Sequence, residues 1–219
     1  MTPEEPVRDS YDRVAGEYAR RLLDELDRKP LDRALLAAFA EAAPPGPVAD
    51  LGCGPGHVAR HLHRLGRRVI GIDLSPAMVD TARRLCPGPE YRVGTMLDLD
   101  LADGCLGGAL AFYSIIHLTL EELPAGFAEL RRALRPGGLA LLAFHTGQQT
   151  LHLDTWWDLP VSLDFHFHSP GAVRRLLDEA GLPVEWDVRR RPGDGEVQTE
   201  RCYLLARRPA AAPPPATET

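Results

Sequence analysis

The chain has 219 residues, 44% of them hydrophobic and 26% charged, which is the composition of a folded globular chain rather than a disordered one. Its 31 acidic and 25 basic residues give a formal net charge of −6, and the basic residues form only short clusters, so we expect no nucleic-acid partner. No apolar run reaches the roughly 18 residues of a membrane span, and we expect no membrane partner.

The N-terminal region has helical periodicity. Apolar and aromatic residues recur every three to four positions over residues 7–28, which predicts one long amphipathic helix. Pro30 can begin a second helix, which the proline-rich segment 44–47 ends. We expect these helices, within residues 1–45, to form a lid.

From residue 48 onward, short apolar runs alternate with helical segments. The pattern predicts strands at 48–51, 68–72, 91–93, 109–113 and 138–144, and helices at 57–65, 76–85 and 120–134. Alternation of this kind implies right-handed crossovers and a mostly parallel sheet with helices on both faces.

The last third of the chain departs from this alternation. Residues 146–168 are polar, aromatic and rich in histidine, with no sustained period, which predicts an insertion over the edge of the sheet that covers the acceptor site. A helix is predicted over 170–180. Strands at 184–191 and 197–206 predict a closing antiparallel hairpin, joined by residues 192–195.

The predicted fold is therefore a Rossmann-like, doubly wound α/β fold with a mostly parallel seven-stranded sheet, a C-terminal antiparallel hairpin and an N-terminal helical lid. We expect a single domain over residues 1–208. The Ala/Pro-rich segment 209–219 predicts a disordered tail.

The N-terminus and the cysteines predict the compartment. Residues 1–6 lack the cationic and apolar regions of a secretory signal, so we expect a cytoplasmic protein. The four cysteines show no CxxC or Cys/His spacing, and we expect free thiols and no metal site.

A glycine-rich turn follows the first predicted strand. Gly52, Gly54 and Gly56 lead into a helix, and backbone without β-carbons lets a ligand approach the amides at the helix start. His57 stands where a dinucleotide fingerprint has its third glycine, which disfavours pyrophosphate binding. Asp73 ends the second strand, where a carboxylate can accept both hydroxyls of a ribose. Loop and acid together predict a nucleoside site.

Three segments resemble one enzyme family. Residues 48–56, Val-Ala-Asp-Leu-Gly-Cys-Gly-Pro-Gly, are very similar to the first motif of the class I S-adenosylmethionine-dependent methyltransferases. Residues 71–78 resemble the second motif of that family, and residues 134–138 resemble the turn before its fifth strand. The resemblance extends over residues 7–206 and implies S-adenosyl-L-methionine as the cofactor and a small organic molecule as the methyl acceptor.

The resemblance also implies the cofactor contacts, which are Tyr11, Tyr18, Asp50, Gly52, Cys53, Gly54, Gly56, Asp73, Leu74, Met78, Thr95, Met96, Leu97 and Tyr113. Asp50 would either support the turn or contact the amino group of the methionine part. Thr95 stands where the family often has an acid that binds the adenine amino group, and Gly107 replaces a frequent aspartate. We expect Cys53 to be a small filler in the turn rather than a nucleophile.

Methyl transfer from a sulfonium is an in-line displacement, in which a base is optional. His117 and His145 follow predicted strands at the edge where ligands collect, and His166 lies in the insertion, so these three are the candidate catalytic residues. Each can instead be a hydrogen-bonded structural residue. Residues 156–157, two tryptophans, form either a wall of the acceptor pocket or the anchor of the insertion.

Several functions remain open at this point. Methylation at oxygen is favoured over nitrogen or sulfur, and a methyltransferase acting on RNA or protein would need a basic surface that the composition does not indicate. An NAD(P)-dependent oxidoreductase or a non-catalytic protein that binds a nucleoside cofactor is the alternative from another class. The oligomeric expectation is a monomer or a homodimer.

Overall fold

The structure is a computed structural model that describes residues 4–193 and 196–210. Most of the predicted tail, from residue 211, lies outside the described residues, as do residues 194 and 195 of the predicted turn. Within the described residues, no helix is long and apolar enough to cross a membrane.

The described part of the chain contains six helices and nine strands. The helices are α1 (Glu5–Leu22), α2 (Pro30–Ala42), α3 (His57–Arg64), α4 (Pro76–Leu85), α5 (Leu123–Ala133) and α6 (Pro170–Glu179). The strands are β1 (Val48–Leu51), β2 (Val69–Asp73), β3 (Glu90–Val93), β4 (Leu106–Phe112), β5 (Leu134–His145), β6 (Thr150–Trp156), β7 (Leu159–His166), β8 (Val184–Arg190) and β9 (Arg201–Arg207).

Seven strands form the main sheet in the order β3-β2-β1-β4-β5-β9-β8. The first five are parallel, and β9 runs antiparallel to both β5 and β8. Helices α5 and α6 cover one face of the sheet, and α2, α3 and α4 cover the other. The predicted doubly wound fold with its C-terminal antiparallel hairpin is confirmed.

The central strands are buried on both faces, as strands between two helix layers must be. Every residue of β1 is buried, and β4 is buried up to Phe112. Because parallel strands end at the same edge of a sheet, the loops after β1, β2, β4 and β5 meet there. This edge, and not the core, carries the polar side chains described below.

The predicted single helix over residues 7–28 was wrong in its last part. Helix α1 ends at Leu22, and a 3₁₀ turn over Glu25–Arg28 follows. Tertiary contacts decide this break, because Leu26 is buried beside α2 and the Glu25 carboxylate lies 2.9 Å from His57 Nε2.

Residues 146–168 contain regular structure that the sequence did not predict. Strands β6 and β7 pair as an antiparallel hairpin, and the two-residue turn between them has positive φ at Trp157 (52°) and Asp158 (64°). Such turns usually carry Asn-Gly or Asp-Gly, so the Trp-Asp pair gave no turn signal. The hairpin lies over the carboxyl edge of the sheet and packs on α1, where the Ser162 amide donates to Ser10 Oγ at 2.9 Å.

A capping interaction connects helix α1 to the start of α4, at the edge of the sheet where the parallel strands end. The Asp12 carboxylate accepts hydrogen bonds from Ser75 Oγ (2.5 Å) and the Ala77 amide (3.0 Å) at the start of α4. Ser75 Oγ in turn accepts from the Met78 amide at 3.1 Å. These bonds satisfy amides that a helix start leaves free, and they position α1 above the carboxyl ends of the strands.

Replacing Asp12 by alanine should therefore destabilise the fold. We expect Asp12→Ala to lower the free energy of unfolding by about 1–2 kcal/mol, because the cap and a link between two helices are lost together. Chemical denaturation measures the change. Asp9→Ala is the matched control, since the half-exposed Asp9 pairs only with its neighbour Arg8 and should change stability by less than about 0.5 kcal/mol. Equal effects of the two variants would contradict the capping role.

Candidate functional site

A cavity of about 890 Å³ lies at the carboxyl ends of β1, β2, β4 and β5. The glycine turn and the residues after β2 form its floor, and α1 with the β6–β7 hairpin forms its roof. In doubly wound folds ligands bind at this edge, and the volume is in the range of small-molecule sites.

The glycine turn has left-handed backbone at all three of its glycines, with φ of +70° at Gly52, +51° at Gly54 and +86° at Gly56. Gly52 and Gly54 line the cavity, whereas Gly56 lies behind the turn. A β-carbon at Gly56 would come within 2.6 Å of Tyr91 Oη, but one at Gly54 would meet only Tyr18, at 4.0 Å. Gly56 thus serves packing, and Gly54 leaves the backbone open to a ligand.

Asp73 connects the end of β2 to this turn. Its Oδ2 accepts a hydrogen bond from the Gly54 amide at 2.7 Å, and its Oδ1 accepts one from the Ser75 amide at 2.9 Å. Enclosure of the carboxylate raises its pKa to about 6, against the effect of these two bonds. Each oxygen keeps a second lone pair, so Asp73 can support the turn and still bind a ligand hydroxyl.

Asp50, at the carboxyl half of β1, is only 1% exposed and lines the cavity wall. Its Oδ2 has no hydrogen-bond partner in the described part of the chain, and neither has the buried Ser114 Oγ beside Gly52. Burial, with Asp73 nearby, raises the pKa of Asp50 to about 7. Buried polar atoms that lack partners are costly, and a ligand donor at this place would remove that cost.

The other end of the floor is more apolar. Leu74, Met78 and Met96 line it, whereas Leu97 does not. Thr95 Oγ1 donates a hydrogen bond to the carboxylate of Glu4, which also lines the cavity. Glu4 brings a negative charge to the position where Thr95 replaces the acid frequent in the resembled family. Sequence reasoning missed Glu4 because it lies 91 positions away with no motif around it.

Tyr11, on α1, links the roof to the loop after β4. Its hydroxyl lies 2.6 Å from His117 Nε2, and His117 Nδ1 lies 3.1 Å from the Asp164 carbonyl oxygen. A carbonyl only accepts, so Nδ1 carries the proton and Nε2 accepts from Tyr11. Burial lowers the pKa of His117 to about 4, which keeps the ring neutral. The lone pair of His117 is occupied, so this ring holds the roof in place.

His145, at the end of β5, is differently placed. Its Nδ1 lies 2.6 Å from Thr199 Oγ1, and its ring lines the cavity. Burial lowers its pKa to about 4, with further contributions from the cations Arg201 and Lys29. No protein group in residues 4–193 and 196–210 bonds its Nε2, so His145 keeps one nitrogen for a ligand.

The third predicted catalytic histidine is not part of the cavity wall. His166 lies near the end of β7, where its Nδ1 is 2.9 Å from Thr150 Oγ1 of the paired strand. His168, two residues further on, is buried, and its Nε2 bonds the Ile115 carbonyl at 3.1 Å.

A hydrogen-bonded chain closes the end of the cavity near His145. Tyr113 has a strained backbone (φ 61°), and its hydroxyl donates to Tyr203 Oη at 2.9 Å. The direction follows from the next bond, since Tyr203 Oη donates to Asp32 Oδ1 at 2.6 Å and has one proton to give. Tyr113 and Asp32 line the cavity. The sequence drew no attention to Asp32 or Tyr203, which lie 171 positions apart.

The remaining residues predicted to contact the cofactor or the acceptor lie in different parts of the cavity. Tyr18 and the two tryptophans at 156–157 line the roof side of the cavity. Cys53 is 2% exposed, and burial raises the pKa of its thiol well above the usual value, as expected for a filler residue. Among the residues described, no group of three or more His, Cys, Asp or Glu side chains could hold a metal ion.

A doubly wound sheet with a glycine turn after β1 and a carboxylate after β2 defines a nucleoside-binding α/β protein of the Rossmann-like class. A family model described as a methyltransferase domain matches residues 48–138, which include both features. This match and the relatives described next are those of methyltransferases, and the resemblance to the class I S-adenosylmethionine-dependent methyltransferases drawn from the motifs is confirmed.

Individual relatives share part of the chain. A malonyl-[acyl-carrier protein] O-methyltransferase of Serratia marcescens is 32% identical over 137 residues, which cover 63% of this chain and 51% of that protein. An N-demethylindolmycin N-methyltransferase of Streptomyces griseus is 35% identical over 119 residues, covering 52% of this chain and 50% of that protein. The aligned region thus spans about half the length of these two relatives.

A solved structure shares the fold over nearly the whole chain. The magnesium protoporphyrin IX methyltransferase of Synechocystis PCC 6803, solved with bound S-adenosylmethionine, superposes with a TM-score of 0.71. The match covers 95% of this chain and 98% of that one, at 18% sequence identity. At this identity the similarity shows a common fold.

Gly54 faces open space and Gly56 faces Tyr91, so substitutions at the two positions should differ in their effect on stability. Gly56→Ala should lower the free energy of unfolding by about 2–4 kcal/mol, because the new methyl group meets Tyr91 and the backbone stays left-handed. Gly54→Ala is the matched control and should cost only about 1 kcal/mol, from the backbone term alone. Thermal or urea unfolding compares the two, and a Gly54 variant as unstable as the Gly56 variant would refute this division.

Proposed function

We propose that this chain transfers a methyl group from S-adenosyl-L-methionine to a small organic acceptor, at an oxygen atom. The observation that carries this proposal is the single cavity that joins the glycine turn and Asp73 at one end to His145 and Tyr113 at the other. A methyl transfer needs donor and acceptor in one enclosed space, because the two must meet in line without water.

The cavity floor suits this cofactor. Gly54 leaves room for the methionine part, and the unpartnered Oδ2 of Asp50 can accept from its ammonium group. Asp73 has lone pairs for the ribose hydroxyls. Leu74 and Met78 would pack against the adenine ring. All of these residues belong to the cavity floor, and together they include both its polar and its apolar part.

The adenine amino group has an acceptor in Glu4. The resembled family often has an acid where this chain has Thr95, and here the Glu4 carboxylate receives the proton of that hydroxyl. One carboxylate oxygen of Glu4 therefore remains for a donor on the ligand. We assign this role to Glu4, with the backbone around Met96 beside it, and leave Leu97 as a packing residue.

In this reaction the residues of the chain have few chemical tasks, because the cofactor itself supplies the reactive methyl group. The bound cofactor supplies an electrophilic methyl group on a positively charged sulfur. The residues of the chain orient the acceptor, exclude water under the roof and take up a proton when the acceptor is a hydroxyl group. His145 Nε2 is the candidate for the proton, because the ring is neutral and its other nitrogen is held by Thr199.

Oxygen is favoured as the methylated atom for two reasons. A neutral imidazole on the cavity wall suits a hydroxyl acceptor, which usually needs a base. Several relatives carry the name of O-methyltransferases. A nitrogen acceptor is the second candidate, supported by the relative named as an N-methyltransferase. We further propose that residues 1–208 act as one domain, with 146–168 forming part of the roof.

The direct test uses cofactor with a labelled methyl group. Incubation with a panel of phenols, aliphatic alcohols, carboxylic acids, amines and thiols should transfer label to at least one acceptor, and mass spectrometry should find it on oxygen. Label on nitrogen alone would overturn the oxygen assignment. Cofactor binding without transfer to any acceptor class would overturn the catalytic proposal, and preferential binding of NADH would overturn the choice of cofactor.

Affinity for the cofactor should depend on pH. The carboxylates of Asp50 and Asp73 bind donors in the ionised form, and their pKa values of about 7 and about 6 place protonation in an accessible range. Affinity should therefore fall as pH is lowered, by at least about tenfold between pH 7.5 and pH 5. Calorimetric titration with S-adenosylmethionine measures it. The Asp73→Asn variant should bind the cofactor weakly at pH 7.5, and its affinity should no longer change near pH 6. If the affinity of the wild type does not change with pH, the assigned roles of Asp50 and Asp73 in cofactor binding are wrong.

The role of His145 predicts a defect confined to catalysis. With the hydroxyl acceptor that the panel identifies, His145→Gln should lower kcat by about 10²–10⁴-fold while the Kd for the cofactor stays within about twofold. His152→Gln is the control, since His152 lies on the exposed side of the hairpin between two aspartates. Full activity of His145→Gln would show that no imidazole base is needed.

A further inference from the structure

Basic side chains gather at the end of the cavity that contains His145, which we call the acceptor end. In the described part of the chain, the lysine and arginine residues that line the cavity are Arg28, Lys29, Arg190 and Arg201. Besides burial, which is the main cause, the last three of these lower the pKa of the His145 ring, so they lie near it. The floor of the cavity carries carboxylates, so the two ends differ in charge.

The register of the sheet places two of these cations beside His145. His145 of β5 is the cross-strand neighbour of Arg201 on β9, and Arg201 is the cross-strand neighbour of Arg190 on β8. Directly opposed residues of antiparallel strands project from the same face of a sheet. The three side chains therefore form a row across three strands, and all three line the cavity.

The acids at this end of the cavity already have partners. The Glu196 carboxylate accepts two hydrogen bonds from Arg190, at 2.6 and 3.0 Å, and Glu25 lies 2.6 Å from Lys29 Nζ. Asp32 accepts the tyrosine hydroxyl described above. Two of the three cations near His145 thus have a carboxylate at hydrogen-bonding distance.

Arg201 is the exception. Its Nη1 donates to the carbonyl oxygens of Val197, at 2.6 Å, and of Thr199, while its Nη2 lies 3.6 Å from Glu196, beyond hydrogen-bonding distance. Within the described residues, Nε and Nη2 of Arg201 make no hydrogen bond, although the residue is only 4% exposed. A buried guanidinium without a carboxylate at bonding distance is costly, and an anionic group of a ligand would remove that cost.

We propose that the methyl acceptor is a hydroxycarboxylic acid, whose carboxylate binds Arg201 while its hydroxyl group lies beside His145 Nε2. The inference rests on the proposed function and deepens it, because it names the class of acceptor. Cross-strand neighbours have β-carbons about 4.5–5.5 Å apart, so one small molecule can reach both side chains. One guanidinium without a carboxylate partner matches a singly charged carboxylate better than a doubly charged phosphate.

Binding of such an acceptor would also help the proton transfer. The cations beside His145 add to the effect of burial in lowering the pKa of its ring. A carboxylate bound to Arg201 would offset their contribution and raise that pKa again. The ring would therefore accept a proton more readily when the acceptor is present.

The test compares hydroxy acids with neutral molecules of the same shape. Hydroxybenzoates and short aliphatic hydroxy acids, each paired with its carboxamide, are incubated with the full chain and labelled S-adenosylmethionine. For at least one pair, kcat/KM for the acid should exceed that for the amide by about tenfold or more, because the amide lacks the charge. Mass spectrometry should find the methyl group on the hydroxyl oxygen, and a methyl ester would overturn the anchoring role of the carboxylate.

Variants of Arg201 test which residue reads the charge. Arg201→Gln should reduce the preference for the acid to about twofold or less, while turnover of the amide stays within about threefold of wild type. Arg201→Lys keeps the charge but not the fork of donors, so it should retain part of the preference. Unchanged affinity for S-adenosylmethionine shows that a variant is folded, and Arg201→Lys provides the comparison if Arg201→Gln is not.

The matched control is the arginine next to the row. Arg189 lies on β8, does not line the cavity and pairs with Asp187 at 3.7 Å and Glu200 at 3.5 Å. Arg189→Gln removes the same charge from the same strand and should leave the preference for the acid within about twofold of wild type.

The outcomes separate the class of acceptor from the function. Transfer of label to no acceptor of any kind would overturn the proposed function itself. Transfer to hydroxyl groups with equal kcat/KM for acids and amides would overturn the hydroxy-acid proposal and leave the function standing. A preference that survives in Arg201→Gln would overturn the role of Arg201, and a preference lost there but kept in Arg189→Gln supports it.

Discussion

The hydrogen bond from the Gly54 amide to Asp73 Oδ2, 2.7 Å long, is the interaction on which the site depends. It ties the turn after β1 to the end of β2, so the left-handed backbone of the turn has one defined position. The second oxygen of Asp73 accepts the Ser75 amide and so sets the start of α4. One carboxylate thereby aligns the two loops that form the cavity floor. Its raised pKa of about 6 reflects the cost of holding a charge there.

The roof is attached to this same region through an apolar cluster that includes Met78 and through directional polar contacts. Asp12 caps α4 directly beside Ser75, and Tyr11 bonds His117 after β4. His117 also holds the hairpin through the Asp164 carbonyl.

The sequence predicted those parts of the fold and site whose determinants are local. The strand–helix alternation, the glycine turn and the acid closing β2 can each be recognised within a short segment, and each has a backbone or periodicity reason. The break after Leu22 and the Trp157-Asp158 turn were not predictable in this way, because tertiary contacts override the local pattern. Glu4 and Asp32 reach the cavity only through the packing of α1 and α2, and no spacing rule links either to its partner.

The polarity of the cavity changes from the floor to the acceptor end. Asp50 and Asp73 place two carboxylates in the cavity, and burial raises both pKa values toward neutrality, which reflects the cost of burying two negative charges. At the acceptor end the partly buried His145 is held neutral by the same physical effect acting on a base. In the proposed function, the positive charge of the cofactor would offset this cost, and the acceptor would lie beside a ring that can take a proton.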